Sequence, residues 1–253
     1  MNHFSSKGMD IAYVDVGAGP PILLIHGFGS SHAINWKATG WIDTLTGAGR
    51  RVVAMDVRGH GQSQKFYEPS AYRPALLAED AANLLDHLGI PRADVMGYSM
   101  GGRIAAVLAI AHPEKVRALI IAGMGMGMVE GIGDEEEIVA ALEAPTLEDA
   151  VGDTGRAYRK FIDLSRSDRK ALAACIIGQR EVVPIEAVAR IRAPTLVAVG
   201  TKDAVAGSAR RLAHVIPDAE VLDIPNRDHM LAVGDRTYKA GVLAFLARHS
   251  PLD

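Results

Sequence analysis

The sequence alternates short apolar runs with segments of helical periodicity, and this alternation restricts the fold more than any other feature. Apolar runs of five to seven residues are typical of strands that are buried on both faces of a parallel sheet. Parallel strands need crossover segments, which are usually helices. The sequence therefore predicts an α/β fold with a mostly parallel sheet. In its first half the predicted strands are 21–26, 51–56, 94–98 and 116–122, and the predicted helices are 74–89 and 101–112.

The alternation stops after Gly123 and resumes only at an apolar run over residues 194–200. The stretch between them has helical spacing and contains an acidic run that suits the first turn of a helix. We therefore predict a core domain formed by residues 1–123 and 192–253, with a helical cap inserted at 124–191. A strand at 221–224 and a helix at 238–247 complete the pattern of the core.

Charge and cysteine content exclude several classes of partner. Lys and Arg number 27 and Asp and Glu 30, which gives a formal net charge of −3 and no reason to expect a polyanion. The single cysteine, Cys175, cannot form an intramolecular disulfide and reads best as a small buried hydrophobe. No apolar run approaches the ~18 residues of a membrane span. We expect a soluble, cytoplasmic protein with no nucleic-acid or membrane partner.

A nucleophile motif occupies the junction between a predicted strand and a predicted helix. Residues 97–102 read GYSMGG and match the pattern G-x-S-x-G with Ser99 at its centre. A strand that turns sharply into a helix places this serine at the carboxyl edge of the sheet, and the flanking glycines allow close backbone approach. The setting predicts Ser99 as a catalytic nucleophile.

A serine nucleophile needs a histidine base and an acid that orients the base, in the chain order serine, acid, histidine. Asp203 follows the strand that ends at residue 200, and His229 follows the strand at 221–224, so both are expected at the edge that carries Ser99. Two rival acids are less suitable. Asp228 adjoins His229 in the chain, and Asp223 lies inside a strand.

Acyl transfer also needs hydrogen-bond donors for the developing oxyanion. Residues 26–29 read HGFG after the first strong strand, and the N–H of Phe28 is one predicted donor. The N–H of Met100, which follows the nucleophile, is the other. Both donors are backbone groups, so the side chain of His26 is expected to stabilise the loop by hydrogen bonding.

Together these motifs resemble the α/β-hydrolase fold family. The resemblance rests on residues 26–29, 56–63, 97–102 and 200–203 and on His229, in the order that the family shows. It implies a mostly parallel sheet of about eight strands, a triad of Ser99, Asp203 and His229, and a helical cap after the sixth strand. It also implies that Arg58 and His60 are structural. The chain departs from many relatives at Ala206, where they have proline, and at Asp228, where they have glycine before the histidine.

One further pattern has two interpretations that the sequence leaves open. Glycine and methionine alternate over residues 123–128. The methionines could line an acyl pocket, because thioethers adapt to irregular apolar ligands. They could equally be core residues of a hinge that leads into the cap. Trp36 and Trp41, by contrast, are expected to pack in the core.

The predicted activity is that of a serine hydrolase that cleaves small carboxylic esters with an apolar portion. No nucleotide-binding motif or metal constellation is apparent, so no cofactor is expected. Lactone opening, hydrolysis of a carbon–carbon bond in a β-diketone and perhydrolysis remain alternatives for the same triad, because fold and triad do not select among them. A ligand-sensing receptor with this fold is the alternative outside catalysis. Relatives that use an aspartate nucleophile, the haloalkane dehalogenases and epoxide hydrolases, are disfavoured because position 99 is serine.

Overall fold

Eight strands form one sheet that is antiparallel at one edge and parallel elsewhere. The computed structural model describes residues 1–252. Strands are joined in the spatial order β1-β2-β4-β3-β5-β6-β7-β8; β2 runs antiparallel to both its neighbours, and the remaining pairs are parallel. Their bounds are β1 (Asn2–Ser6), β2 (Met9–Val16), β3 (Pro21–Ile25), β4 (Arg51–Met55), β5 (Ala93–Tyr98), β6 (Val116–Ala122), β7 (Thr195–Gly200) and β8 (Ala219–Ile224).

Ten α-helices accompany the sheet within residues 1–252, together with four single turns of other helical geometry. None of these helices is long and apolar enough to cross a membrane. The helices are α1 (Trp41–Gly47), α2 (Pro74–His87), α3 (Met100–Ala111), α4 (Gly127–Glu130), α5 (Glu135–Glu143), α6 (Asp153–Leu164), α7 (Arg169–Gly178), α8 (Ile185–Val188), α9 (Ala209–Val215) and α10 (Arg236–His249). The single turns are Ala33–Lys37, Pro69–Tyr72, Pro113–Lys115 and Ala232–Gly234.

Two apolar layers cover the two faces of the sheet. Leu23 on β3 faces the layer that contains α2 and α3, whereas its neighbour Leu24 faces the layer that contains α1 and α10. Both leucines are completely buried, and each such side chain stabilises the fold by about 1.5–3 kcal/mol. This two-sided burial explains why the central strands appear in the sequence as continuous apolar runs. Trp36 and Trp41 lie in the second layer, which confirms their prediction as core residues.

The predicted fold class, with its mostly parallel eight-stranded sheet, is confirmed. The apolar pattern located six strands, but it did not reveal β1 and β2, whose residues are only partly buried. The stretch 124–191 contains five helices, α4 to α8, which we call the inserted helices. A separate small cluster of buried residues joins α5, α6 and α7. The division of the chain into a core domain and a cap domain stays a prediction.

Parallel pairing brings several strand ends to one edge of the sheet. Ile25 at the end of β3 lies opposite Met55 in β4 and opposite Gly97 in β5. The loops that follow β3, β4 and β5 therefore start side by side. The loops after β7 and β8 also start side by side at this edge, because the last residues of the two strands, Gly200 and Ile224, pair with each other.

Candidate active site

The turn from β5 into α3 holds Ser99 in a strained backbone conformation. Its φ is 55° and its ψ is −118°, a region that residues with a side chain rarely adopt. Two glycines make the turn possible. A Cβ atom on Gly97 would lie 2.0 Å from the carbonyl oxygen of Gly101, and one on Gly101 would lie 2.0 Å from that of Ile25. The motif glycines are therefore required by close backbone contact.

Three side chains from separate loops form one chain of hydrogen bonds. His229 Nε2 lies 2.9 Å from Ser99 Oγ, and His229 Nδ1 lies 2.8 Å from Asp203 Oδ2. Because a carboxylate accepts, Nδ1–H of His229 donates to Asp203, which leaves Nε2 free to accept from the serine hydroxyl. The structure thus brings together the three residues that the sequence analysis selected as a triad. Their catalytic roles stay predictions.

Asp203 is held as a carboxylate. Its side chain is fully buried, which by itself disfavours the charged form. Hydrogen bonds from His229 and from the backbone N–H groups of Val205 and Ala206 overcome this and keep the pKa of Asp203 below its ordinary value. A charged Asp203 stabilises an imidazolium at His229, the species that forms when the histidine takes a proton.

Both rival acids are occupied elsewhere. Asp228 accepts from the backbone N–H groups of Met230 and Leu231, and Asp223 on β8 pairs with Arg210.

The loop of His229 has a further support that the sequence analysis missed. Tyr98, beside the nucleophile, donates a hydrogen bond of 2.6 Å from its hydroxyl to the carbonyl oxygen of His229.

Two backbone N–H groups beside Ser99 are available as donors. In residues 1–252 neither the amide of Phe28 nor that of Met100 donates to another protein atom. Met100 is the first residue of α3, where N–H groups have no partner within the helix. A Cβ atom on Gly27 would lie 3.3 Å from Cβ of Ser99, so the loop before Phe28 packs directly against the nucleophile. These positions agree with the predicted oxyanion donors, whose role stays a prediction.

The loop that carries Phe28 is fixed by buried polar side chains. Asp56 accepts from the backbone N–H groups of His32 and Gln62 and lies 2.8 Å from His32 Nδ1. Burial opposes the charge of Asp56, but these hydrogen bonds lower its pKa to about 2. His26 accepts from the N–H of Val57 and donates to the carbonyl oxygen of Gly27, which confirms its predicted role in the loop.

The other predicted structural residues also lie outside the triad. Burial lowers the pKa of His60 to about 3, so this histidine is neutral, and its Nδ1 lies 3.0 Å from the carbonyl oxygen of Arg58. Arg58 itself binds Asp80 through two hydrogen bonds. Cys175 is completely buried, and burial raises the pKa of its thiol. None of these three side chains contacts Ser99 Oγ through a hydrogen bond.

A cavity of about 230 Å³ opens onto Ser99 and His229. Its walls are mostly apolar and come from the loop after β3, from the loop that carries His229 and from α6 of the inserted helices. Tyr158 and Phe161 are the contribution of α6. Burial raises the pKa of Tyr158 to about 12, so its hydroxyl stays protonated. The remaining lining residues are Gly27, Phe28, Ser30, Ile34, Asn35, Thr39, Tyr98, Met230 and Val233.

The glycine–methionine alternation divides between the two interpretations. All three methionines are buried in the core, and Met124 also borders a small recess next to Ser99. Gly125 and Gly127 pack against the backbone of residues 206–208 at distances that a Cβ atom would not permit. Within the described residues, no group of three or more His, Cys, Asp and Glu side chains could hold a metal ion.

Comparison with known proteins assigns the family. The family model described as the alpha/beta hydrolase fold matches residues 20–156, more than half of the chain. This chain belongs to that family, which confirms the resemblance drawn from the motifs.

The individual relatives carry names that describe different activities. The chain is 30% identical over 249 residues to the dihydrolipoyllysine-residue acetyltransferase component of the acetoin cleaving system of Pseudomonas putida, covering 91% of this chain and 64% of that protein. It thus spans less than two thirds of the length of the curated relatives that it matches first. Other relatives and structures are named as epoxide hydrolases, 2-hydroxymuconate semialdehyde hydrolases and an enol-lactonase.

Two solved structures match along nearly their whole length. A hydrolase from Pseudomonas aeruginosa is 27% identical with a TM-score of 0.80, covering 97% of each chain. A thermophilic esterase from Thermogutta terrifontis, with malate bound, is 25% identical with a TM-score of 0.74, covering 98% of this chain and 97% of that one. Both likenesses extend over the whole fold, and membership in the family does not by itself select one reaction.

The close packing at the nucleophile turn predicts that Gly97→Ala destabilises the protein by at least about 3 kcal/mol, because the added Cβ meets backbone rather than a movable side chain. Urea denaturation measures the free energy of unfolding. Gly47→Ala is the matched control: nothing lies within 4 Å of its added Cβ, so a change below about 1 kcal/mol is expected. Equal effects at both positions would contradict this account.

The low pKa of Asp56 predicts a pH-dependent contribution to stability. A carboxyl whose pKa is lowered on folding stabilises the protein above its unfolded pKa, and this contribution is lost as the pH falls toward the folded value. We expect Asp56→Asn to lose about 2 kcal/mol of unfolding free energy at pH 7 and clearly less at pH 3. Urea denaturation at both pH values tests this, with the exposed Asp43→Asn as control. A difference that does not depend on pH would refute the assignment.

Proposed function

We propose that the protein is a serine hydrolase that cleaves carboxylic esters through an acyl-enzyme on Ser99. The observation that carries the proposal is the unbroken chain of hydrogen bonds from Ser99 through His229 to Asp203 at the floor of an apolar cavity. Membership in a family of hydrolases supports it, as does the structural likeness to an esterase.

The geometry supports a two-step reaction. His229 Nε2 takes the proton of Ser99 as Oγ attacks the ester carbonyl carbon, and Asp203 stabilises the resulting imidazolium. The N–H groups of Phe28 and Met100 stabilise the negative charge on the carbonyl oxygen. The imidazolium then protonates the leaving alkoxide. In the second step His229 activates a water molecule, which attacks the acyl-enzyme and releases the acid.

The cavity walls favour an apolar group on one side of the scissile bond. Phe161, Ile34 and Val233 offer carbon surface, and the apolar part of the cavity wall far exceeds the polar part. A pocket with this distribution is typical of sites that bind a small organic molecule and orient it with a few polar contacts. A volume of about 230 Å³ suits a short or medium chain.

Ser99→Ala should abolish ester hydrolysis, because no other group is placed to form the acyl-enzyme. Release of acid is measured with a panel of short and medium methyl esters, a lactone and a β-diketone. Wild type should also be labelled covalently by an organophosphate probe, Ser99→Ala should not, and the exposed Ser70→Ala should behave as wild type. If Ser99→Ala still hydrolyses the esters, the proposal is wrong. If wild type turns over only the lactone or only the β-diketone, the bond that it cleaves is not that of a simple ester.

Asp203→Asn should lower kcat by about 10³- to 10⁴-fold, because an amide no longer selects the productive tautomer of His229. Asp228→Asn and Asp223→Asn are matched controls that remove the two rival carboxylates. Each should retain kcat within about threefold, since neither carboxylate contacts the imidazole. If kcat falls as much in Asp228→Asn as in Asp203→Asn, the assignment of Asp203 as the acid that orients His229 is wrong.

A further inference from the structure

Four arginine side chains are almost completely buried, and one of them differs from the rest in its partners. Three form ion pairs of 2.7 Å with an aspartate: Arg50 with Asp94, Arg58 with Asp80 and Arg159 with Asp163. Arg103 is the fourth and is only 5% exposed. No carboxylate of the described chain lies within 4.0 Å of it.

The contacts of Arg103 hold its guanidinium without neutralising it. Nη1 donates to the carbonyl oxygen of Gln179 at 2.5 Å, and Nη2 donates to that of Gly127 at 3.4 Å. Nε is buried and has no hydrogen-bond partner in residues 1–252. Burial lowers the pKa of Arg103, yet an arginine keeps its charge at neutral pH. Apart from its Coulombic interaction with the half-buried Glu135, this buried positive charge is uncompensated, which is costly.

Arg103 borders a recess beside the nucleophile. It lies four residues after Ser99, the residue that precedes α3, and both residues line the recess. The recess has a volume of about 30 Å³ and is separate from the larger apolar cavity, although Phe28, Ser99 and Tyr158 border both. Its other walls are Met100, Arg103, Met124, Ile132, Glu135, Ile176 and Gln179.

Two more polar groups line the recess. Gln179 Oε1 is buried without a partner, while its amide nitrogen donates to the carbonyl oxygen of Tyr72. Glu135, in the first turn of α5, is only half-buried, so solvent screens its charge more than that of Arg103. The recess therefore adjoins a buried cation, one acceptor without a partner and a nearby, half-buried anion.

We propose that this recess binds a carboxylate on the acyl part of the ester, so that the substrates are monoesters of short dicarboxylic acids. The proposal rests on the proposed function and names the substrate class of that site. Arg103 supplies the positive charge, and a volume close to that of one water molecule suits a carboxylate group. The larger apolar cavity holds the alcohol part.

Two esters of matched shape test the proposal. Monomethyl succinate carries a carboxylate where methyl 4-methylpentanoate carries two methyl groups. With wild type we expect kcat/KM, measured by titration of released acid, to favour monomethyl succinate by at least tenfold. Arg103→Met should reduce this ratio at least tenfold, and Arg103→Lys should retain part of the preference. Glu135→Gln should increase the ratio, because it removes the nearby negative charge.

The matched control is Arg156→Met, which removes an exposed charge from α6 outside the recess and should leave the ratio at its wild-type value. Circular dichroism shows whether each variant is folded. Should Arg103→Met fail to fold, the half-exposed Glu135→Gln still decides, since an unchanged ratio there contradicts the proposal. Turnover by wild type without preference for the carboxylate also overturns it and leaves the hydrolase activity standing.

A binding measurement separates this inference from the hydrolase activity. Ser99→Ala should bind monomethyl succinate in calorimetry, and the double variant with Arg103→Met should bind it at least tenfold more weakly. Binding of this kind without turnover by wild type refutes the proposed function and supports the recess. If Ser99→Ala and the double variant bind monomethyl succinate with equal affinity, the recess does not bind the carboxylate.

Discussion

The positive φ of Ser99 is the constraint on which the arrangement of the site depends. A residue with a side chain in this conformation costs about 1–3 kcal/mol, which the surrounding packing must offset. The N–H of Ser99 donates to the carbonyl oxygen of Ala122 on β6, and its carbonyl oxygen accepts from the N–H groups of Gly102 and Arg103. The turn is thus tied to the neighbouring strand and to its own helix. As a result Oγ is held at the sheet edge, where the loops after β3 and β8 reach it.

Two aspartate–histidine pairs of the same geometry occur in this fold, and only one adjoins a nucleophile. Asp56 and Asp203 each accept from two backbone N–H groups, and each lies 2.8 Å from Nδ1 of a histidine. His229 also has Ser99 Oγ within hydrogen-bond distance of its Nε2. His32 has no such partner among the described residues, and its pair with Asp56 fixes the loop that carries Phe28. An aspartate that orients Nδ1 of a histidine is therefore not enough to indicate a catalytic base. The histidine is a candidate base only where a nucleophile lies within hydrogen-bond distance of its Nε2.

Sequence patterns predicted the parts of the structure that depend on local rules. Strands buried on both faces were evident as apolar runs, and Ser99 and Asp203 follow two of them, β5 and β7, within three residues. His229 follows β8, which is only partly buried, by five residues. The strands β1 and β2 escaped notice, because exposed or half-buried polar residues interrupt their apolar ones. No pattern in the sequence indicated that Arg103 lacks an ion pair, since its partners Gly127 and Gln179 are 24 and 76 residues away. Long-range contacts of this kind become visible only in three dimensions.

The position of the inserted helices has a consequence for how this fold can change. They connect β6 to β7, which are adjacent strands of the sheet, so the core fixes both ends of the stretch. The entropic cost of closing a loop between fixed ends rises only with the logarithm of its length, by about 0.6 kcal/mol for each doubling. Loop-closure entropy therefore opposes a change in the length of this stretch only weakly. Tyr158 and Phe161, which shape the cavity, belong to this stretch, whereas Ser99, Asp203 and His229 do not. The walls of the cavity can thus be rebuilt by insertion and deletion while the hydrogen-bonded chain beneath them keeps its geometry.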